Sequence, residues 1–587
     1  MIKRLWKHLG MRRKRQFYLI LLLMVIASVA EIISLGAVLP FLGMITAPEH
    51  FFNYPLVQTL VHAFEQMFEL TEFTQPDQLI LPFTIIFIVS ALVAGIIRLT
   101  LLYAMTRFSY AAGADLSVKA YNLTLHQEYL THLSRNSSEV VNGIIVKIGI
   151  AIGVVRSTLT FVSSIILLIG IVVTLLIVNA KVALYASFGF GAIYWMVVYY
   201  TRLQVKENSQ VIATESTKMI KYLQEGLGGI RDILIDGSQQ FYCDLYRKAD
   251  IPMRRASGTN IFIAQSPRYA MEALGIAFIA IFAYIMTQDS KGSEVAIPVL
   301  GVLALGAQKL LPVAQQLYGA YTNIKSAKTS FGDALDLLEQ TFFKYPEQTP
   351  STLIKFEKNI QLKNIGFSYT KNKELVLKNI NLELRRGSCI GFMGETGSGK
   401  TTLLDIIMGL LNPTIGKFYV DGQGITQENM ALWRANIAHV PQNIYLSDDT
   451  VERNIAFGVP EGEIDHKRVR KAAKQAQISE SIESWENGYQ TFVGEQGVRL
   501  SGGQCQRIGI ARAIYKQASI LIFDEATSAL DDKTELAVMR EIYKLDKNIT
   551  ILIIAHRLSA LKKCDQVVKL ENGIIQKGSY QEIVIGL

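Results

Sequence analysis

The feature that most limits how this chain folds is a series of apolar stretches in its first 330 residues, almost free of Asp, Glu, Lys and Arg. A bilayer-crossing helix needs roughly 20 mostly apolar residues. Six segments meet that length, at about 17–45, 79–105, 157–178, 181–200, 259–286 and 296–320. With 587 residues, 50% of them hydrophobic, the chain is long enough for several domains and too apolar for an ordinary soluble protein. After about residue 350 the composition turns to that of a soluble α/β domain. The expected layout is therefore a six-span helical membrane domain at 1–330, a linker at 331–354 and an α/β domain at 355–587. A net charge of +9 fits basic residues on the inner side of a membrane, and the six spans exclude a soluble nucleic-acid-binding protein.

Charge in the loops orients the spans. Residues 46–78 hold five acids (Glu49, Glu65, Glu69, Glu72, Asp77) and no Lys or Arg, so they are expected outside. Residues 201–258 hold nine Lys or Arg and are expected inside, as are both termini. The stretches 106–156 and 201–258 carry helical patterns, so the spanning helices are expected to continue into the cytoplasm. Lys3–Arg15 is basic enough to begin a signal peptide, and Ala27–Ala30 resembles a cleavage site, yet the apolar run continues to Ile45. In the outer stretch, Leu56, Val57, Leu60, Val61, Phe64, Met67 and Phe68 fall on one helical face. That face either packs on neighbouring helices or lies in the outer leaflet against a lipid tail. The four cysteines, Cys243, Cys389, Cys505 and Cys564, show neither metal spacing nor a paired pattern and read as reduced, structural thiols.

Chemistry concentrates in the second half. Gly394–Thr402, "GETGSGKTT", fits G-x-x-x-x-G-K-[ST] between a strand-like and a helical run. Gly394, Gly397, Ser398 and Gly399 let backbone N–H groups close on phosphates at a helix N-terminus, with Lys400, Thr401 and Thr402 following. Lys400 supplies a point charge for the β and γ phosphates, and Thr401 a hydroxyl for Mg²⁺. Ile520–Asp531, "ILIFDEATSALD", is an apolar strand ending in two acids. Asp524 is placed for Mg²⁺ and Glu525 to polarise an attacking water. Between these lies "LSGGQCQR", in which Ser501, Gly502, Gly503 and Gln504 open a helix and form a second phosphate site.

In this order the three motifs resemble those of ABC ATPases, over about residues 355–587. The resemblance implies a fold of an α-helical six-span membrane domain followed by an α/β P-loop ABC ATPase domain. It also implies ATP with Mg²⁺ as cofactor, and ATP hydrolysis. Tyr369 matches the aromatic that stacks on adenine, and Gln442 the glutamine that senses Mg²⁺ and the membrane domain. Asp531 falls in the D-loop and His556 at the switch histidine; "VGEQG" is similar to the exporter X-loop, with Gln496 where arginine is frequent. Tyr129–Val141 and Tyr222–Gly237 resemble the elements that dock on the ATPase. In this family LSGGQ closes over ATP held by a second domain, so one ATPase domain and six spans imply a homodimer, with a heterodimer of similar halves as the other arrangement.

Three basic residues sit within the apolar stretches: Arg98, Arg268 and Lys309. At about 1.5 Å per residue, Arg268 lies roughly 14 Å from the inner end of span five, Lys309 about 20 Å and Arg98 about 29 Å from the outer ends of spans six and two. Each either pairs with an acid, Glu272 or Glu31, or faces a cavity that takes an anionic group such as a phosphate or pyrophosphate. Ala30–Leu42, "SRNSSE", "LQEGLGGIRDILI" and the outer amphipathic stretch resemble PglK-type lipid-linked oligosaccharide flippases. That resemblance implies a lipid-translocating transport ATPase of the bacterial inner membrane, moving a polyprenyl-pyrophosphate glycan to the outer leaflet. It puts Arg98, Arg268 and Lys309 at the pyrophosphate and Leu56, Leu60 and Phe64 near the prenyl tail. Competing readings are a lipid A or phospholipid exporter, a drug exporter, and an ATP-gated channel or regulatory subunit.

Overall fold

The structure, a computed structural model, describes residues 1–46, 79–178, 180–287, 293–340, 354–370, 374–527, 529–555 and 558–585. The amphipathic stretch with Leu56, Leu60 and Phe64, and the histidine His556, lie outside the described residues. The chain divides into two units, one of residues 1–125 and 135–341, the other of 126–134 and 342–587.

The first unit is helical. Its elements are α1 (Ile2–His8), α2 (Met11–Gly36), α3 (Val38–Thr46) and α4 (Ile80–Leu125), then, after α5 (Tyr129–Ser134) of the other unit, α6 (Ser137–Asn142), α7 (Ile148–Val178), α8 (Ala180–Gly228), α9 (Ile230–Asp236), α10 (Gln239–Thr287), α11 (Ser293–Ser326) and α12 (Lys328–Leu338). Among the described residues three stretches, Met11–Ile45, Ile80–Leu125 and Ser137–Ile177, are long and apolar enough to cross a membrane. The apolar segments expected at 181–200, 259–286 and 296–320 fall on α8, α10 and α11, of 49, 49 and 34 residues. Helices α4 and α8 run on past their apolar parts to Leu125 and Gly228, as the helical patterns predict.

A Cβ on Gly113 of α4 would stand 2.2 Å from the Ile152 side chain of α7, so a larger residue at that crossing would displace the Ile152 side chain. Met24, Leu116, Leu159 and Phe331 are among the side chains buried where α2, α4, α7 and α12 meet. Helix α12 occupies the first part of the stretch expected as linker, because Phe331, Leu335 and Leu338 have this core to pack against.

The second unit holds two sheets. The strands are β1 (Asn359–Phe367), β2 (Leu377–Arg385), β3 (Cys389–Gly394), β4 (Ile415–Val420), β5 (Gln423–Gly424), β6 (Ile437–Val440), β7 (Ile520–Asp524), β8 (Thr550–Ile554), β9 (Gln566–Glu571) and β10 (Ile574–Gly578). An antiparallel sheet runs β2-β1-β4-β5, and a larger one runs β10-β9-β3-β8-β7-β6. In the larger sheet β9, β3, β8, β7 and β6 are mutually parallel, and β10 closes it as a hairpin. Strands such as Ile520–Asp524 read as continuous apolar runs because both faces are covered. The helices are α13 (Lys400–Ile407), α14 (Met430–Arg434), α15 (Val451–Ile455), α16 (His466–Gln475), α17 (Ser479–Glu483), α18 (Gly502–Tyr515) and α19 (Asp532–Tyr543). Parallel strands β3, β7 and β8 end side by side, and ligands of such sheets bind beyond the carboxyl ends of the strands.

Helix α5 belongs to this unit although the helices before and after it, α4 and α6, do not. Leu130 packs against the core that holds Leu411 and Met430, and Gln427 Nε2 donates to Glu128 Oε1 at 2.8 Å. Of the element expected to dock, Tyr129–Val141, the part up to Ser134 groups with this unit; Leu130 gives it an apolar contact, and the polar contact comes from Glu128 just before it.

Candidate functional site

The phosphate loop links β3 to α13. Gly394 has φ +147° and its Cβ position lies 2.3 Å from the Leu570 carbonyl oxygen; Gly399, with φ +101°, caps α13 without a side chain. Both positions exclude a side chain, which keeps the backbone N–H groups at the helix start open to an anion. Lys400, 8% exposed, donates from Nζ to the carbonyls of Gly394 and Glu395, each at 2.8 Å. Ser398 Oγ is buried with no hydrogen-bond partner. An orphaned hydroxyl and a lysine that, among the described residues, donates to loop carbonyls are the donors a polyphosphate would engage, so these residues fit ATP.

Glu525 follows β7 with φ +50°, a left-handed conformation that a glutamate adopts only when its surroundings hold it. Its amide donates to the Ile554 carbonyl at 3.0 Å, and its Oε2 accepts from Gln442 Nε2 at 2.7 Å. The structure therefore brings together two residues 83 positions apart that the sequence assigns to one reaction. Burial, then the Glu525 carboxylate, raises the Asp524 pKa, and Lys400 opposes the shift. Mg²⁺ sites in such loops use a hydroxyl and one or two carboxylates, the phosphates supplying the rest. Thr401, Asp524 and Gln442 fit that donor set. Among the described residues no cluster of three His, Cys, Asp or Glu offers an all-protein cage.

The Tyr369 hydroxyl lies 2.9 Å from Thr402 Oγ1, which ties the expected adenine platform to the phosphate loop. Ser501 caps α18 by accepting from the Gln504 amide at 3.3 Å, while Gln504 Oε1 accepts from the Ser501 amide at 2.8 Å. This reciprocal cap presents the Gly502 and Gly503 amides at the helix start. Asp531 caps α19 through the Thr534 amide at 3.0 Å. Asp531 therefore has a structural partner beside any role toward nucleotide.

Asp405 escaped the sequence reading because an acid on an amphipathic helix ordinarily faces water. It is 7% exposed, and burial, then the Asp524 carboxylate, raises its pKa to about 6. The Asp405 carboxylate in turn, after burial, raises the Tyr129 phenol of α5 above its usual range. A carboxyl whose folded pKa exceeds its unfolded one binds its proton more tightly when folded. Its stabilisation is full below about pH 4 and is lost as pH rises through about 6. Asp405→Asn is therefore expected to raise the stability of the ATPase unit at pH 8 by about 2–3 kcal/mol and to leave it nearly unchanged at pH 4, as measured by thermal unfolding of the full chain.

Two thiols also meet. Cys389 and Cys564, 175 positions apart, have sulfurs 3.2 Å from each other, both buried at the base of the larger sheet. Strand order in the folded sheet, and no spacing rule, brings them together. Both are free thiols.

In the helical unit Glu31 is 6% exposed, and its carboxylate lies 2.8 Å from Lys309 Nζ and 3.8 Å from Arg98 Nη1. The group carries two cations and one anion. Arg268 Nε donates to Glu272 Oε1 at 2.6 Å, one turn along α10. Arg98 and Lys309 are thus brought together, and Arg268 has a partner of its own.

A family model described as ABC transporter matches residues 377–528. The ATP-dependent lipid A-core flippase of Cupriavidus metallidurans is 28% identical over 511 residues, 84% of this chain and 83% of the relative. The flippase of the same description from Chromohalobacter salexigens is 30% identical over 399 residues, 66% of this chain and 67% of the relative. A solved structure titled as a bacterial Atm1-family ABC exporter with ATP bound is similar in fold, with TM-score 0.77 over 98% of this chain and 96% of that one at 20% identity. A phosphate-loop ATPase unit that follows a unit of long apolar helices defines a membrane transport ATPase. The chain belongs to the ABC exporter family.

Proposed function

We propose that two copies of this chain form an ATP-driven flippase for a phosphate-bearing lipid, with a lipid A-core type of glycolipid as the cargo best supported. The observation that carries the cargo class is the Arg98–Glu31–Lys309 group, an excess of positive charge among apolar helices. Arginine and lysine there suit a phosphate, which competes with Glu31 for the cations. Relatives described as lipid A-core flippases, similar over most of both chains, support the same class. A polyprenyl-pyrophosphate oligosaccharide has related head-group chemistry, and Ala30–Leu42, which contains Glu31, is the stretch that favours it. Leu56, Leu60 and Phe64 are assigned to contact with the lipid tail. The membrane unit crosses six times with both termini in the cytoplasm of a bacterial cell, in its inner membrane.

In the proposed cycle ATP draws Lys400 from the Gly394 and Glu395 carbonyls onto its phosphates. Thr401 and Asp524 would hold Mg²⁺, with Gln442 beside it to sense the ion, and bound Mg²⁺ would supply charge neutralisation at the phosphates. Glu525 accepts the proton of the attacking water, His556 meets the γ-phosphate, and Tyr369 stacks on adenine. Ser501, Gly502, Gly503, Gln504 and Asp531 complete the site of the second copy, so hydrolysis is coupled to separation of the two ATPase units.

The test is flipping in proteoliposomes of fluorescent core-lipid A, a polyprenyl-pyrophosphate oligosaccharide and a neutral lipid. Wild type is expected to move core-lipid A and not the neutral lipid. Changing Arg98, Arg268 and Lys309 together to Gln is expected to cut flipping at least about tenfold while basal ATPase activity persists, since a bidentate charge-assisted contact is lost. Flipping that survives this change would return the three residues to structural pairing with Glu31 and Glu272. Preference for the pyrophosphate oligosaccharide would exchange the cargo.

A further inference from the structure

Two adjoining cavities of the helical unit share Val198, Tyr318 and Tyr321 in their walls. One, of about 510 Å³, is bordered by Arg202, Lys206, Lys325 and Lys328 and, among the described residues, by no carboxylate. The other, of about 450 Å³, is lined almost wholly by apolar and aromatic side chains, Trp195 among them. The cations come from α8, α11 and α12, so tertiary structure alone assembles them. Among the described residues none of the four forms an ion pair; Arg202 lies over the Tyr199 ring at 4.8 Å and Lys325 over Tyr321 at 5.5 Å. Tyr318, in the wall common to both cavities, is 5% exposed, and its hydroxyl is buried without a partner. Four like charges around one cavity repel unless an anion joins them, and a buried hydroxyl without a partner carries a desolvation cost that a ligand removes.

We propose that these cavities form one binding site for a phosphate-bearing lipid: the basic cavity takes the head group, the apolar cavity takes an acyl chain, and Tyr318 donates to the head group at the boundary. The site is separate from the Glu31 group, since Lys325 lies sixteen residues beyond Lys309 on α11, roughly 24 Å along the helix. The inference rests on the proposed topology and cargo class. With the inner ends of spans four and six facing the cytoplasm, the site lies at the inner leaflet and serves as a loading position before transport. Snorkelling cations above an aromatic wall are suited to that depth.

Trp195 provides the readout. Full-length protein in nanodiscs, without ATP, is titrated with phosphatidic acid or phosphatidylcholine bearing brominated acyl chains, and a Trp195→Phe control assigns the quenching. Phosphatidic acid is expected to quench Trp195 at about a tenfold lower mole fraction than phosphatidylcholine, a preference of the size several interfacial cations produce. Changing Arg202, Lys206, Lys325 and Lys328 to Gln is expected to abolish that preference with basal ATPase activity retained. Tyr318→Phe, which keeps the ring, is expected to weaken it and guards against misfolding of the fourfold variant. Equal quenching by the two lipids, or a preference that persists in the fourfold variant, would overturn the proposal. Displacement of the lipid by millimolar glycerol phosphate would make the basic cavity a site for soluble phosphates and overturn the lipid assignment. Because flipping is read separately, a preserved preference without flipping refutes the proposed function and leaves this site standing. Flipping with no preference does the reverse.

Discussion

Replacing Glu525 with Gln is expected to lower ATP turnover about 10²- to 10⁴-fold, the range for loss of a positioned general base, while ATP binding stays within a few-fold of wild type. The geometry explains the size of the effect. Glu525 stands one residue beyond β7, its backbone held at φ +50° and its amide tied to Ile554. This conformation directs the carboxylate toward Gln442, which donates to Oε2 at 2.7 Å. Gln keeps the side-chain length and offers an amide in place of the second acceptor, so binding and folding persist while proton acceptance is lost. Steady-state phosphate release and equilibrium binding of a fluorescent ATP analogue, on the same preparation, separate the two effects. Turnover within threefold of wild type would remove Glu525 from the reaction. Gln442→Ala is expected to have a smaller effect, because it orients the carboxylate without accepting the proton.

Trp433→Ala is expected to destabilise the ATPase unit by about 3–5 kcal/mol, the range for large aromatic truncations in a core. Trp433 is fully buried, and its Nε1 donates to the Ile407 carbonyl at 2.8 Å. Its ring meets Phe356 and Phe418 edge-on, with centroids 6.1 and 5.7 Å away. Ile407 is the last residue of α13, so the indole secures the end of the helix that the phosphate loop begins. Removing it opens a cavity and takes a partner from that carbonyl. Calorimetry of the full chain in detergent is expected to show the transition of the ATPase unit lowered by roughly 6–20 °C. Trp433→Phe restores volume without the N–H, and is expected to recover more than half of the loss. A shift below 2 °C would mean that α13 is held from elsewhere.

Much of the ATP site was legible because its motifs are local. The glycines of Gly394–Thr402 encode backbone conformations that few other residues adopt, and their spacing around Lys400 is the one a phosphate cradle requires. Ser501 and Gln504 encode their own reciprocal cap within four residues. The pairing of Glu525 with Gln442 depended on family resemblance, since nothing in the local spacing of β6 and β7 reveals that the two strands are neighbours. The buried Asp405 was not legible. Whether an acid on α13 is covered is decided by elements distant in sequence, including Tyr129 of α5.

The same division runs through the helical unit. Apolar length determined that this chain needs a membrane, because a run such as Ile80–Leu102 has no other stable place for its side chains. Short-range pattern likewise determined an α/β ATPase unit and the identity of its phosphate loop. Tertiary structure alone decided which charges meet. Arg98, Lys309 and Glu31 come from three helices, and the sequence left open whether each cation had a partner or a cavity. Lys325 and Arg202 read singly as solvated basic residues; packing of α8 against α11 makes them one wall. Backbone conformation and hydrophobic period are encoded within a few neighbouring residues, whereas electrostatic partners are set by distance in space, which only the folded chain specifies.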